Sequence, residues 1–418
     1  MYSLGGFQIW PVFVSTIKKI TCLAVIIMIC GLACARSEIA DKVKSPGEKN
    51  MNEKTNINSR FYADLQSSSY LPLSGSLKGD ILWHQMPDNT TSGRMPIHLA
   101  LRDNILIIRY IDYLEARNSK DGSILWGRET SSNIAFDMTE EGIATLDHAG
   151  YYELLDYDGQ VKWDIRLPFL VDEPFLEYAD IDATELRYIY YSMGTADSEP
   201  DREPAPLSYG YSRYRRQPSG FIWSLQDHGA LINACLNPNH DRVFLISTDR
   251  LYSFPADADS SIAVAKLEFE NILAASLNHH GDLLLLLTDE ETTRLKLLSP
   301  DGEQQWEFPV MNIGEVRQPP GSSPNGRVFL AFDESFICLA DGELLWKYKS
   351  GIPADESFFT VLADNTALIG FGSILVHLSD DGSEILRKIL PGKVTCRPII
   401  DGQGRLYIGL DNGVYCFE

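Results

Sequence analysis

Basic residues are scarce in this chain. Its 418 residues include 36 Lys and Arg against 58 Asp and Glu, which gives a formal net charge of −22. An acidic surface repels nucleic acids and anionic lipid headgroups over a Debye length of roughly 8–10 Å at physiological salt. Because no basic helix or run of Lys and Arg offsets that repulsion, we expect no nucleic-acid partner.

Catalytic motifs are also missing. The sequence contains no G-x-S-x-G, H-E-x-x-H or P-loop pattern, which excludes the usual hydrolase, zinc-protease and nucleotide-binding signatures. His279 and His280 are adjacent in a predicted turn, and we interpret them as solvated turn residues. Asp257 and Asp259 lack the Gly and the distal Glu of a calcium loop. We therefore predict neither a catalytic residue nor a metal site.

Paired cysteine motifs do not occur. None of the seven cysteines stands in a C-x-x-C spacing, which excludes zinc-ribbon and thioredoxin-like sites. Cys396 and Cys416 fall in neighbouring predicted strands, so a disulfide between them and two buried thiols are both open. Cys235 and Cys338 are expected to be buried thiols.

A long apolar run occurs once, near the N-terminus, and it is short for a membrane span. Residues 20–35 follow Lys18 and Lys19 and end in small residues. A spanning helix needs about 20 apolar residues, whereas a basic flank with a shorter run is typical of a secretory signal peptide. We therefore predict that residues 1–35 direct export to the cell envelope. The stretch before the lysines is long, which leaves an internal start codon open.

Two cleavage sites compete at the end of this signal. Ala33-Cys34-Ala35 fits the small-x-small site of ordinary signal peptidase, which would release a soluble periplasmic protein. Leu32-Ala33-Cys34 resembles the bacterial lipobox, in which cleavage after residue 33 leaves a lipid-modified Cys, although Gly31 replaces the usual larger aliphatic residue. An uncleaved anchor is the third reading. Residues 36–78 are predicted to be a flexible tether, since residues 36–60 are polar and cannot bury a core.

A repeated unit covers the rest of the chain. In its complete form an Asp-Gly turn is followed by three residues and a Trp, and the unit recurs about every 40 residues, the size of one propeller blade. Asp and Gly favour a tight turn, and Trp can bury a large surface. The glycine-equivalent positions are Gly79, Gly122, Gly159, Gly220, Ser260, Gly302, Gly342 and Gly382. The Trp positions hold Trp83, Trp126, Trp163, Trp223, Val264, Trp306, Trp346 and Leu386.

These copies predict an all-β fold, an eight-bladed β-propeller of four-stranded blades over residues 79–418. The last turn is followed by three predicted strands, at about residues 395–400, 405–410 and 414–417. We expect residues 81–85 to supply the fourth strand of that blade, which would close the ring and remove its open edges. Seven blades would result if the degenerate copy near Asp259 were an insertion.

One interval between repeats is about 20 residues longer than the others. Residues 194–206 are acidic and Pro-rich, so we predict an insertion at about 194–217 that begins with a loop. An aromatic and basic cluster ends it, and Tyr and Arg are enriched at protein interfaces. A partner-binding patch and an edge strand with a polar face are both open. The cluster comprises Tyr209, Tyr211, Arg213, Tyr214, Arg215 and Arg216.

The Asp-Gly-x-x-x-Trp unit resembles the repeat of the pyrroloquinoline-quinone (PQQ) type propellers, over residues 79–418. One branch of that superfamily, the quinoprotein dehydrogenases, implies PQQ and calcium at the centre of the ring. The other branch, the BamB-like lipoproteins of outer-membrane β-barrel assembly, implies eight blades, no cofactor and a lipidated N-terminal Cys, here Cys34. This chain lacks the adjacent cysteines of many quinoproteins and is shorter than they usually are, so the second branch is favoured.

We therefore predict a non-enzymatic, monomeric scaffold that binds a protein partner in the periplasm or at the outer membrane, in outer-membrane protein assembly and without PQQ or calcium. Two alternatives stay open. One is a quinoprotein-type oxidoreductase that binds PQQ and calcium. The other is a carbohydrate- or peptidoglycan-binding propeller, with Tyr209 and Tyr211 as candidate contacts.

Overall fold

The computed structural model consists of β-strands joined by turns. No helix in the part of the chain that it describes is long and apolar enough to cross a membrane. The strands between residues 179 and 228 are described in their backbone only. The structure describes residues 79–85, 94–130, 135–139, 141–147, 151–166, 179–181, 185–192, 208–215, 220–228, 231–237, 241–258, 265–269, 271–289, 292–310, 318–332, 335–351 and 357–418.

The strands follow one another at short intervals. The first group comprises β1 (Ile81–Gln85), β2 (His98–Arg102), β3 (Ile105–Arg109), β4 (Tyr113–Asn118), β5 (Ile124–Glu129), β6 (Ala135–Met138), β7 (Ile143–Leu146), β8 (Tyr151–Leu155) and β9 (Val161–Arg166). The second comprises β10 (Ala179–Ile181), β11 (Glu185–Ser192), β12 (Ser208–Arg215), β13 (Gly220–His228), β14 (Leu231–Leu236), β15 (Arg242–Ser247), β16 (Arg250–Pro255), β17 (Ala265–Glu268), β18 (Ile272–Leu277), β19 (Leu283–Thr288), β20 (Thr293–Leu298) and β21 (Gln304–Val310). The third comprises β22 (Gly321–Ser322), β23 (Val328–Phe332), β24 (Ser335–Ala340), β25 (Glu343–Lys349), β26 (Ser357–Val361), β27 (Ala367–Phe371), β28 (Ile374–Leu378), β29 (Glu384–Ile389), β30 (Ile399–Ile400), β31 (Leu406–Leu410) and β32 (Gly413–Phe417).

Apolar runs in the sequence form buried strands. β19 reads LLLLLT and pairs on both sides, with β18 and β20, and Leu283 to Leu286 are fully buried. A run of leucines also suits a helix, but a strand in the middle of a sheet that is covered on both faces is apolar without alternation. The five leucines therefore lie in a central strand that is largely buried.

β1 completes the sheet that contains the C-terminus. It pairs antiparallel with β32, so that Trp83 lies opposite Cys416 and Gln85 opposite Val414. Gly79 N also donates to Glu418 O at 2.8 Å. The prediction that residues 81–85 supply the fourth strand of the last blade is confirmed, and the pairing covers an edge of β32 that would otherwise be open.

Hydrophobic cores join the sheets into packed blades. In the described part of the chain, six cores each combine side chains of two neighbouring sheets, and this architecture is a β-propeller. Its blades are numbered as follows: blade 1 is β2–β5, blade 2 is β6–β9, blade 3 is β14–β17, blade 4 is β18–β21, blade 5 is β22–β25, blade 6 is β26–β29, and blade 7 is β30–β32 with β1. The cores connect the blades in the order 3, 4, 5, 6, 7, 1, 2; between blades 7 and 1, for example, Tyr407 and Cys416 pack against Leu99 and Leu101.

The blade count is corrected from the predicted eight to seven. The six cores link seven four-stranded blades, and β17 completes blade 3, so the degenerate copy near Asp259 is not an insertion. The repeat at Gly220 falls instead in the four-stranded sheet β10–β13, where β11, β12 and β13 are eight or nine residues long. No core joining that sheet to a blade lies among the described side chains. The interval between turns counts residues along the chain, whereas a blade is a sheet that packs against its neighbours. A regular interval therefore does not fix the number of blades.

A β-bulge stands directly before the Trp position of most repeats. In blade 1, Trp126 lies opposite Ala116 while Ile124 lies opposite Arg117, so Leu125 is the extra residue. Such a bulge bends the strand and redirects the side chain that follows it. The same shift of register precedes Trp83, Trp163, Trp223, Trp306, Trp346 and Leu386.

The indole of one blade covers the glycine turn of the next. Trp126 packs on Gly159 of blade 2, where a methyl group would lie 2.7 Å from the indole Cδ2. Gly159 has a φ of +79°, which favours glycine. The pairs Trp83 with Gly122, Trp306 with Gly342, and Trp346 with Gly382 have the same arrangement.

Blade 3 carries Leu267, rather than the predicted Val264, at its Trp position. A methyl group on Gly302 of blade 4 would lie 2.6 Å from Leu267 Cδ1. β17 has no bulge, and Leu267 pairs directly with Leu251. A fixed spacing from the turn therefore points to the wrong residue, and Val264 itself lies outside the described residues. In blade 6, Leu386 does stand at the Trp position, 4.0 Å from where a methyl on Gly79 would lie.

Candidate functional site

A belt of polar side chains joins neighbouring blades at or just before their first strands, at the edge of each sheet opposite the exposed outer strand. Gln318 donates from Nε2 to Phe359 O at 2.9 Å and accepts a hydrogen bond from Phe359 N at 3.0 Å. Bonds of this kind satisfy polar groups that are costly to bury alone. The other bonds run from Asn233 Nδ2 to Ala275 O (2.5 Å), Ser276 Oγ to Pro320 O (2.6 Å), Thr360 Oγ1 to Pro398 O (2.7 Å) and Thr395 Oγ1 to Pro96 O (2.5 Å). The belt residues therefore hold blades 3 to 7 together in series and blade 7 to blade 1.

Arg397 brings a positive charge to this belt. Its side chain is 6% exposed, and its Nε donates to Thr360 Oγ1 at 3.0 Å. A guanidinium offers planar donors that can pair with an anionic group. Sequence reasoning missed Arg397, because a single Arg between Cys396 and Pro398 belongs to no recognisable motif.

A second polar cluster lies where blade 7 meets blade 1. The Tyr407 hydroxyl lies 3.1 Å from Ser119 O and 2.9 Å from Asp401 Oδ2, and Arg405 Nη2 lies 2.6 Å from that carboxylate oxygen. Trp83 Nε1 also donates to Ser119 O, at 3.0 Å. Burial raises the pKa of Tyr407 well above its usual value, so the hydroxyl remains a neutral donor. The cluster ties the two blades together and offers no nucleophile.

A buried ion pair supports the same joint. Glu115 and Arg117 on β4 are 1% and 3% exposed, and Arg117 Nε donates to Glu115 Oε1. Arg117 Nη1 donates to Gly122 O at 2.7 Å, in the turn on which Trp83 packs. Two residues apart on a strand, the pair shares one face. Its contacts make it a structural element of the turn.

No group of three or more potential metal ligands lies together among the described residues. His279 and His280 occupy the predicted turn, where Gly281 N donates to Asn278 O at 3.0 Å. Their rings are 6.1 Å apart, and burial, followed by the charge of His280, lowers the pKa of His279. Asp257 also lies in a turn, and Asp259 lies outside the described residues.

The cysteines near the C-terminus are buried thiols. Cys396 and Cys416 are not bonded to each other, which decides between the two predicted states. Burial raises the pKa of Cys396, Cys416 and also Cys338 to about 12. Because the thiolate is the reactive form, these groups are not nucleophiles at neutral pH. Cys235 is also buried, as predicted.

The predicted Tyr and Arg cluster lies largely on β12. Tyr209, Tyr211, Arg213, Tyr214 and Arg215 fall within Ser208–Arg215, and Arg216 lies outside the described residues. β12 pairs with β11 on one side and β13 on the other, so it is not an edge strand. That finding removes the edge-strand interpretation and leaves the partner-binding patch as a prediction.

The predicted signal peptide, the tether and Cys34 lie outside the described residues. Export, cleavage and lipidation therefore remain predictions from the sequence.

Solved structures resemble this chain, although no protein-family model and no curated protein matches it. BamB from Moraxella catarrhalis is 13% identical, with a TM-score of 0.56, and the match covers 81% of this chain and 96% of BamB. A europium-containing methanol dehydrogenase is 9% identical, with a TM-score of 0.61 and coverages of 85% and 89%. A quinohemoprotein alcohol dehydrogenase from Comamonas testosteroni is 10% identical, with a TM-score of 0.62 and coverages of 87% and 80%.

This chain has the fold of the PQQ-type β-propellers. At identities of 13% or less, the likeness shows the fold alone. A PQQ-type propeller is compatible both with a binding scaffold and with a dehydrogenase, so the choice between them depends on the residues of the site.

Proposed function

We propose that this protein is a non-enzymatic scaffold of the bacterial cell envelope that binds a protein partner. The polar belt carries the proposal, because its side chains are engaged with the backbone of the neighbouring blade. A small molecule at the belt would have to compete with these bonds. The likeness to BamB over 96% of that chain supports the same reading.

The location of this scaffold follows from the N-terminal sequence. A signal peptide over residues 1–35 would export the chain, and modification of Cys34 would anchor it in the outer membrane through the tether of residues 36–78. A long flexible tether allows the propeller to reach a partner in the periplasm. We place its role in the assembly of outer-membrane proteins, by analogy with BamB.

The experiment that tests the scaffold is affinity capture of the tagged protein from native envelopes after gentle detergent extraction. We expect an outer-membrane barrel protein, or a component of its assembly machinery, to be recovered in a stable ratio. A control in which Cys34 is changed to Ala should lower the membrane-bound fraction. Repeated recovery of the propeller alone would contradict the proposal.

The cluster on β12 is the proposed partner contact. Changing Arg213, Arg215 and Arg216 together to Ala should weaken the captured complex by at least about tenfold, since Arg is enriched at interface hot spots. A matched variant changes Lys162, Arg166 and Lys266, which lie on the outer strands of blades 2 and 3, and should leave the complex intact. Equal affinity of the cluster variant and the native chain would remove the patch.

A quinoprotein-type oxidoreductase is the second candidate. Arg397 favours it, because a buried guanidinium on the polar belt would suit the carboxylates of PQQ. Titration calorimetry with PQQ and calcium tests this candidate directly. Binding that is lost in Arg397→Gln would support it, and the absence of any heat or spectral change would end it.

A further inference from the structure

Ile389 at the end of β29 is the most exposed large apolar side chain in the described part of the chain, at 79%. Four other exposed apolar residues of the outer strands are the extra residues of bulges: Leu82, Leu125, Leu345 and Ile385. Ile389 lies beyond the bulge of its strand, in regular pairing with Ile374. The bulge geometry therefore does not account for its exposure.

The outer edge of β29 offers backbone groups for pairing. β29 is the last strand of blade 6 and pairs with β28, and no described strand lies on its other side. Proteins protect such edges with proline or with charges, because an open edge is a template for another strand. Blade 4 has Pro309 in its outer strand, and blade 2 has Lys162 and Asp164. β29 also carries Glu384, Arg387 and Lys388, but it ends in the exposed Ile389 rather than in a charge or a proline.

Positive charge lies beside this edge. The neighbouring outer strands β25 and β29 carry four cations and two carboxylates, a local charge of +2 on a chain of net charge −22. The cations occupy the second half of each strand, and the carboxylates are the first residues. The cations are Lys347, Lys349, Arg387 and Lys388, and the carboxylates are Glu343 and Glu384.

These charges discriminate between occupants of the edge. A second copy of the chain carries the same charge of −22 and would be repelled over most of its surface. An acidic segment would be attracted to the second half of the two strands, where Ile389 lies. Arg387 already pairs with Glu384 at 3.1 Å, whereas Lys349 is exposed. Charge complementarity thus favours an acidic partner.

We propose that an acidic, extended segment of the protein partner adds to the outer edge of β29 as a fifth strand of blade 6. Its backbone would pair with the open edge beyond the bulge, an apolar side chain would cover Ile389, and its carboxylates would face Lys349. The inference rests on the protein-binding function proposed above, and it names the surface and the chemistry of the partner.

The test uses a labelled peptide of alternating Val and Glu with blocked ends, titrated with the full chain and followed by fluorescence anisotropy. We expect it to bind at least about tenfold more tightly than a peptide of alternating Val and Lys, which has the same strand propensity and the opposite charge. Replacing the central Val residues of the acidic peptide with Pro should abolish binding, because Pro removes the backbone donors.

Variants locate the site. Ile389→Lys should weaken binding of the Val-Glu peptide at least about tenfold, while Ile389→Val retains it. Leu125→Lys, at an exposed apolar position on the outer strand of blade 1, is the matched control and should change nothing. Circular dichroism of each variant verifies that the propeller is folded. Lys349→Glu should weaken the acidic peptide and strengthen the basic one.

Three outcomes would overturn the proposal. The first is equal affinity for the two peptides, or no binding of either at about 1 mM. The second is a dimer in sedimentation that Ile389→Lys dissociates, which would make a second copy the occupant. The third is binding to vesicles of phosphatidylglycerol that depends on Ile389, which would make the membrane surface the occupant. If the peptide binds at Ile389 but envelope capture recovers no partner, the docking edge stands and the proposed envelope function is rejected.

Discussion

Trp126 reaches across a blade boundary and donates a hydrogen bond from its indole Nε1 to the carbonyl oxygen of Tyr157, at 2.9 Å. The same indole lies over Gly159, so one side chain both packs on the next turn and bonds to it. Trp83 and Trp346 make the corresponding bonds to Ser119 O and Asp380 O, at 3.0 Å and 2.9 Å. A tryptophan at this position therefore acts as the connection between consecutive blades.

Substitutions of Trp126 should separate the contribution of its hydrogen bond from that of its packing. Trp126→Phe keeps an aromatic ring over Gly159 and loses the hydrogen bond, so we expect a loss of about 1 kcal/mol in the free energy of unfolding. Trp126→Ala also loses the packing, and we expect about 2–4 kcal/mol, because the indole is only half-buried. Urea unfolding followed by circular dichroism measures both. Equal losses in the two variants would contradict the packing contribution.

The glycine beneath the indole gives a second prediction. Gly159 and Gly326 have similar backbone angles, with φ of +79° and +82°, so alanine is strained to a similar degree at both. A methyl group on Gly159 would meet Trp126 at 2.7 Å, whereas a methyl group on Gly326 would meet nothing within 4 Å. We therefore expect Gly159→Ala to lower the unfolding midpoint clearly more than Gly326→Ala. Indistinguishable midpoints would show that the ring moves aside without cost.

Local chemistry explains how much of the fold the sequence predicts. The Asp-Gly turn and the large side chain after it lie within a few residues of each other, so the pattern identifies Trp126 and its equivalents, and the three strands left after Gly382 predict the closing strand at Trp83. The bulge before most Trp positions leaves no mark in the sequence, because it depends on pairing with another strand. Fixed spacing from the turn also failed in blade 3, where it pointed to Val264 and Leu267 packs on Gly302 of the next blade.

The candidate site was less predictable, for a related reason. Asn233, Gln318 and Thr360 donate hydrogen bonds to residues about 40 positions away, in the next blade, and their sequence neighbours have no common pattern. Contacts of that kind appear only when the blades are assembled. The predicted number of blades was wrong for the same reason. A turn recurs at Gly220, but no packing of its sheet against a blade lies among the described side chains.

The buried pair Glu115 and Arg117 gives a prediction about charge. Glu115→Gln leaves the guanidinium of Arg117 buried without its counter-charge, and we expect a loss of about 3–5 kcal/mol in the free energy of unfolding. A double variant, Glu115→Gln with Arg117→Met, removes both charges and should lose less than the sum of the two single variants. Urea titration of all four proteins forms the double-mutant cycle. Additive losses would show that the two charges do not interact.

The buried thiols predict both reactivity and pH dependence. Burial raises the pKa of Cys396 and Cys416 from the usual 9.0 to about 12, so iodoacetamide at pH 8 should leave them unmodified in the folded protein and modify them in urea. Between pH 9 and about 12 the unfolded chain releases thiol protons that the folded chain retains. Stability is therefore complete below pH 9 and falls as the pH rises, by at most about 1.4 kcal/mol per pH unit for each thiol. Cys416→Ala should make that fall shallower in urea titrations between pH 9 and pH 11. An unchanged slope, or modification of Cys416 in the folded protein at pH 8, would mean that this thiol is accessible to solvent.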